Sequence, residues 1–335
     1  MRACEARAWA AFNILCDGKF TFEDENGQMV TTDAYDYIDY AMGYDSGKRF
    51  PLFVKPSDKI SVKDVADVMR DHYEGTPMDM TTDIGAGGNA LPYTWRPMGF
   101  EHEGKRYINE RAIATQQTGF WFVGQSRGWL PDTIGGINWF GCDDAATSYL
   151  TPIYTSSNRV PECFRVGNGN MITYSPTSAF WVTNRVANAC YKAYNIMAPT
   201  VRAEIDKWEN QMSEVVAATD AEALKIYEKA RQKPRKNIRR NDRLRKISDP
   251  YTEVSAFLTD FSCSRAQEIF DRWVALEQLL LVKYIDGNVK AQRADGSFIT
   301  NGHTDCIPDK ISQPGYTEKW KASVAADNGK ILQER

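Results

Sequence analysis

Apolar positions recur at three- and four-residue spacing from the start of the chain. Ala6, Trp9 and Ala10, with Asn13 on the same stripe, predict a helix already under way at residue 1. Residues 17–50 are acidic and turn-rich, with one short helical candidate over 35–42. Beyond Pro51, Lys55 and Pro56, Ser61 stands where its hydroxyl can cap the helix VKDVADVMRDHY, with Asp64 at the matching capping-box position. Val62, Val65, Val68 and Met69 would form the buried stripe of that helix. The Gly, Pro and Asp density of residues 75–97 predicts loop.

The period then changes. RAIATQQTGFWFVGQSR (111–127), GGINWFGCDD (135–144) and AATSYLTPIY (145–154) are rich in aromatic and β-branched residues and are separated by turn signals, which predicts three or four sheet strands. From residue 178 helix dominates: AFWVTNRVANACYKAYNIM, a second helix after Pro199, a third near Asp220 and a long last one from Ser264, with Gln267 placed for a capping box. Phe270, Trp273, Leu276 and Leu280 would be its buried face, and Gly287 its end. Residues 288–335 read as an extended tail over a surface. The fold class expected is α+β, with strands between about 107 and 155 followed by a helical region over 178–285.

Composition narrows the function classes. With 42% apolar side chains, nine Trp and sixteen Tyr, the chain has the apolar area that an ordered domain needs. A formal net charge of −3 gives no overall field toward nucleic acid or an anionic membrane, and no run of about 18 apolar residues offers a span. Seven scattered cysteines without a C-x-x-C pair fit free packing thiols, Cys4 included, better than a disulfide scaffold or zinc site. The three histidines, at 72, 102 and 303, lack the partner spacing of a helical metal site, so no metal or cofactor is expected.

Short motifs are weak by their context. GQSRG (124–128) has the spacing of a serine nucleophile elbow, but Trp129, Leu130, Pro131 and Asp132 follow where a helix should begin. GAGGNA (85–90) has neither strand before nor helix after, as a dinucleotide loop requires. The basic run RQKPRKNIRRNDRLRK (231–246) contains no aromatic for a base to stack on and reads as a solvated insertion. His72 and Glu74 in RDHYEGT suggest acid–base chemistry, though a histidine at a helix end before Gly75 more often caps backbone carbonyls.

Six segments in order carry a resemblance: ACEARAWAAFN, MRDHYEGTPMDMT, ERAIATQQTGF, GGINWFGCDDAAT, NRVPECFRVGNGNM and SAFWVTNRVANACYKAY. Together they are similar to the C-terminal portion of the dipeptidase A family of cysteine-type dipeptidases, N-terminal-nucleophile (Ntn) hydrolases to which secernins are distantly related. The resemblance covers about residues 1–215 and resumes around 250–290. It implies a four-layer αββα sandwich, with residues 1–175 in the catalytic sandwich, 176–287 a helical region and 288–335 the tail. It also implies catalysis by an N-terminal cysteine that these residues do not contain, so that this chain alone would be inactive and Met1 an internal methionine. Export is a family-level expectation, while oligomeric state and dipeptide preference stay open.

No catalytic residue carries over, and what remains can only line a substrate site. The candidates are Arg111, Gln116 and Gln117 on the strand ERAIATQQTGF, with Asp143 and Asp144. A dipeptide substrate has two charged ends, for which an Arg and an acid are the expected pair. A structural pair of Arg111 with Asp143 at the sheet rim explains those two residues equally well. Two other functions stay open, a non-catalytic interaction protein and an Ntn amidase acting on non-peptide amides.

Overall fold

The computed structural model describes residues 2–94, 99–108, 111–232 and 250–334; most of the basic run 231–246 lies outside the described residues. The expected first helix, α1 (Arg2–Leu15), buries Ala6, Trp9 and Ala10, and Trp9 Nε1 donates to the Ala34 carbonyl at 2.8 Å. Between them lies a hairpin that the turn-rich stretch concealed, β1 (Lys19–Glu23) with β2 (Met29–Asp33). Phe20 is its one buried side chain, so the alternation that marks a strand is nearly absent. A 3₁₀ turn (Ala34–Tyr37) and the short α2 (Ile38–Ala41) occupy the helical candidate at 35–42.

In α3 (Val62–Met69) both halves of the capping box form: Ser61 Oγ accepts from Asp64 N at 3.2 Å, and the Asp64 carboxylate accepts from Ser61 N at 2.7 Å. Ala66 and Val68 are buried, and Val62, Val65 and Met69 pack half-buried on the same core. The helix stops earlier than the sequence suggests, because Arg70 turns inward and its neighbours enter a tight turn. An exposed hairpin, β3 (Gly99–His102) with β4 (Lys105–Ile108), follows.

The main sheet has the antiparallel order β5-β6-β7, from β5 (Phe120–Ser126), β6 (Gly136–Cys142) and β7 (Thr151–Tyr154), with the one-turn α4 (Asp132–Gly135) before β6. Residues 111–119, expected as strand, are loop. Ala114 N donates to the Asp71 carbonyl and Thr118 N to the Thr115 carbonyl, so this backbone is satisfied outside any sheet ladder. Strand β7 is likewise short, because Asp144 caps a 3₁₀ turn at Ala145–Thr147 where the strand was expected to begin. Gly141 permits a close approach there: a Cβ would lie 2.7 Å from both Trp121 Nε1 and the Tyr149 carbonyl oxygen.

Helices α5 (Ala179–Cys190), α6 (Tyr194–Gln232) and α7 (Pro250–Tyr284) cover one sheet face. The breaks differ from those expected. Pro199 falls near the start of α6, where little of the hydrogen-bond ladder is disturbed, and the helix continues through it. Asp220 opens no new helix: its carboxylate accepts from Tyr154 Oη at 2.7 Å and from Arg127. Helix α7 opens at Pro250 and not at Ser264, because Val254 and Leu258 extend the buried stripe of Phe270, Trp273, Leu276 and Leu280 by several turns. Asp286 and Gly287, both at positive φ, end it. The tail pairs β8 (Val289–Lys290) with β9 (Ile311–Ser312) and then forms α8 (Glu318–Leu332), a helix where extended chain was expected.

Trp121, Val123, Ile137 and Trp139 face Trp208, Trp273, Ile205 and Leu280 in the main core. The class is α+β. Because β5 and β6 run antiparallel, the start of one and the end of the other share one edge of the sheet. Asp143 N there donates to the Gly119 carbonyl at 3.0 Å, placing the loop 111–119 beside the acidic pair 143–144.

Candidate functional site

Asp144, fully buried, is the centre of a hydrogen-bonded cluster. Its Oδ1 accepts from Ala146 N at 3.0 Å, and its Oδ2 from Tyr93 Oη at 2.5 Å and Tyr191 Oη at 3.0 Å. Tyr93 Oη also lies 2.8 Å from His72 Nε2, and His72 Nδ1 lies 2.9 Å from Glu74 Oε1. Glu74 Oε2 accepts from the His72 backbone N–H at 2.6 Å. His72 therefore does not cap carbonyls at the helix end, as the sequence suggested. With Gly75 leaving the turn, its ring points inward against the edges of Tyr93 and Tyr194, at centroid distances of 5.0 and 5.9 Å.

The acidic loop is held from below by Arg70. Its guanidinium makes a bidentate pair with Glu209 at 2.9 and 2.5 Å, and donates to the carbonyls of Ala145 at 2.9 Å and Ser148 at 3.1 Å. Both charged side chains are buried, and the guanidinium also covers the Trp121 ring at 5.0 Å. A charge of either sign is tolerated there only because its partner is present.

In front of Tyr93 lies a small pocket lined by Tyr93, Thr94, Met80, Arg111, Gln116 and Gln117, among others. Three of the sequence-derived candidates thus share one pocket, though on a loop and not on a strand. Arg111 Nη2 donates to Gln117 Oε1 at 3.3 Å, and Gln116 Nε2 to the Thr94 carbonyl at 3.3 Å. Asp144 lies behind the pocket wall, its carboxylate committed to two tyrosines. Asp143 sits on the adjoining turn at a φ of 68°, with Oδ1 accepting from Asn184 Nδ2 at 3.0 Å. Its Oδ2 is buried with no hydrogen-bond partner among the described residues.

Burial pushes the Asp143 carboxyl up to about 7. Burial, followed by the Glu74 charge, raises Asp71 to about 6. Glu74 is also pushed upward by burial, but the hydrogen bonds and charge of His72 outweigh this and hold it below the usual carboxylate range. The hydroxyls of Tyr93, Tyr191 and Tyr194 are raised by burial and then by the Asp144 charge, so they act as donors at neutral pH.

The buried thiols offer little nucleophilicity. Cys142, Cys163 and Cys190 are pushed up to about 12, in each case chiefly by burial. Cys4 is exposed and so is not the packing thiol expected. Ser126 is exposed at the end of β5, with only the one-turn α4 after it and not the long helix of a nucleophile elbow. Among the described residues no three His, Cys, Asp or Glu side chains group to hold a metal ion.

The sequence model of peptidase family C69 matches residues 1–207. The chain belongs to peptidase family C69. Two curated relatives share part of its length: a probable dipeptidase B of Lactococcus lactis subsp. lactis (strain IL1403) and a probable dipeptidase of Latilactobacillus sakei. The first is 24% identical over 140 residues, 42% of this chain and 25% of that protein. The second is 27% identical over 174 residues, 51% of this chain and 32% of that protein. The matched part of this C69 chain thus spans a quarter to a third of their length, and the family match over residues 1–207 includes Arg111, Gln116, Gln117, His72, Glu74, Tyr93, Asp144 and Tyr191.

Sequence reasoning missed Tyr93, Tyr191, Tyr194, Asn184 and Arg70. One signal was present: MRDHYEG packs five ionisable residues into the end of a helix, more than a solvated helix end needs. Nothing local marks Tyr93, which meets its partners across 21 and 51 residues of chain.

Proposed function

We propose that this C69 chain supplies the substrate-recognising part of a dipeptide hydrolase of the Ntn class. Its strongest support is the membership of family C69 together with the small pocket lined by Arg111, Gln116 and Gln117; Asp143, whose backbone N–H donates to the Gly119 carbonyl at the end of that loop, has a buried oxygen without a partner among the described residues. Arg111 takes the dipeptide carboxylate and Asp143 the ammonium, while Asp144 holds Tyr93 in place. The three-stranded sheet belongs to a two-sheet sandwich, with the exposed Phe120 and Phe122 of β5 turned toward the other sheet.

The nucleophile is an N-terminal cysteine outside these residues. Its thiolate attacks the peptide carbonyl carbon, and the C–N bond breaks as the leaving amine takes a proton from the α-ammonium group. Water then cleaves the thioester, returning the thiol and releasing the amino acid.

The binding half is tested by calorimetry with a dipeptide analogue whose peptide bond is reduced. The analogue should bind, and acetylating its amine, amidating its carboxylate or introducing Arg111→Met should each weaken binding about tenfold or more. Affinity indifferent to all three changes would remove Arg111 and Asp143 from the site.

A further inference from the structure

We propose that the turn His72–Glu74 is a positioning device with two arms, one fixing each wall of the pocket, and that its His72 carries a proton on both ring nitrogens. The first arm runs from His72 Nε2 to Tyr93 Oη at 2.8 Å. The second is Tyr73 Oη, which donates to the Arg111 carbonyl at 2.8 Å. Between them the backbone is bent: Tyr73, fully buried, stands at a φ of 65°, a left-handed conformation that non-glycine residues adopt at a cost. That bend folds Glu74 back onto His72, where its two oxygens meet the ring and the backbone N–H. One turn thus reaches the Tyr93 wall and the Arg111 wall together, and its own geometry is locked by the His72–Glu74 contact.

The protonation follows from counting donors. Tyr93 has one hydroxyl hydrogen, and its 2.5 Å contact with Asp144 uses it. The Tyr93 oxygen can then only accept from His72, so Nε2 bears a hydrogen. Reversing the chain would require a proton on Asp144 Oδ2, the same atom to which Tyr191 donates. At the other nitrogen, Glu74 Oε1 lies 2.9 Å away while Oε2 accepts a backbone N–H, and a carboxylate can only accept, so Nδ1 bears a hydrogen too. His72 is a buried cation between two acids, Glu74 directly and Asp144 through Tyr93. Asp71 beside it and the ring edge of Tyr194 complete its ionisable surroundings.

The effect on dipeptide binding rests on the pocket proposed above, whereas the protonation and positioning do not, and the tests separate them. In the ¹⁵N-histidine-labelled chain only three imidazoles resonate, and the other two, His102 and His303, are exposed. Both nitrogens of His72 should show protonated shifts at pH 7, and a single neutral tautomer would overturn its assignment as a cation. In His72→Gln and, separately, Tyr73→Phe, backbone amide shifts of residues 111–117 should move while those of residues 254–270 in α7 stay fixed. Unmoved shifts in both variants would overturn the positioning role. The reduced-bond dipeptide should bind each folded variant about tenfold more weakly, with the preference for free ends retained. Should the parent chain bind no dipeptide, the ligand assignment fails, and the amide shifts still decide the positioning role.

Discussion

Replacing Arg70 with methionine removes a guanidinium that makes two bonds to Glu209 and one each to the Ala145 and Ser148 carbonyls. Methionine keeps much of the apolar stem, so the loss is mainly electrostatic. Glu209 is left as a buried charge that keeps the 3.3 Å bond from Leu150 N. Breaking one side of such a pair costs about 3–5 kcal/mol. For a chain of this size that corresponds to a fall in melting temperature on the order of 10 °C. Removing the orphaned charge as well, in Arg70→Met with Glu209→Leu, should recover most of the loss, because both desolvation penalties vanish together. Recovery should stay incomplete, since two carbonyls and the Leu150 N–H still lack their partners. The assay is urea unfolding followed by circular dichroism for the parent, both single variants and the double. A loss below about 1 kcal/mol in Arg70→Met, or a double variant as unstable as the sum of the singles, would refute the coupling.

The Asp143 carboxyl, raised to about 7 by burial, favours its protonated form in the folded state. Its contribution is therefore fully present below the unfolded value of about 3.9 and lost as pH rises toward 7. Asp143→Asn should remove that dependence, gaining on the parent by up to about 4 kcal/mol between pH 4 and pH 7. Parallel stability curves for the two proteins would contradict it; Asp71, raised to about 6, adds the same slope to both. Gly141→Ala places a Cβ 2.7 Å from Trp121 Nε1 and from the Tyr149 carbonyl oxygen and should cost about 1–3 kcal/mol, read as a lower unfolding midpoint. An unchanged midpoint would mean that the sheet and the 145–150 loop are not in close contact there.

What was legible in the sequence had local causes. The Ser61–Asp64 capping box and the spaced apolar residues of α1 and α7 each encode their element within a few residues. Boundaries failed where a distant partner replaced a local signal: Asp220 serves Tyr154 and Arg127 and not a helix start, and Ala114 N finds the Asp71 carbonyl and not a neighbouring strand. For the site, Arg111, Gln116 and Gln117 could be named together because they are close in sequence and of suitable chemistry. Their pocket wall could not, because Tyr93 meets His72 and Asp144 only once the chain has folded. Composition also could not separate the roles of Asp143 and Asp144, whose difference lies in which carboxylate is already occupied.

Hydrolysis of dipeptides is the most direct measurement, made with the purified 335-residue chain alone and with the same chain joined to a family segment that opens with cysteine. The chain alone should release no amino acid above the uncatalysed rate, since recognition without a nucleophile leaves the amide barrier nearly intact. The joined protein should turn over, and mutation of its first cysteine to alanine should abolish that activity. Turnover by the chain alone, abolished by Cys4→Ala or by Ser126→Ala, would place the nucleophile inside these residues and contradict the proposed division of labour.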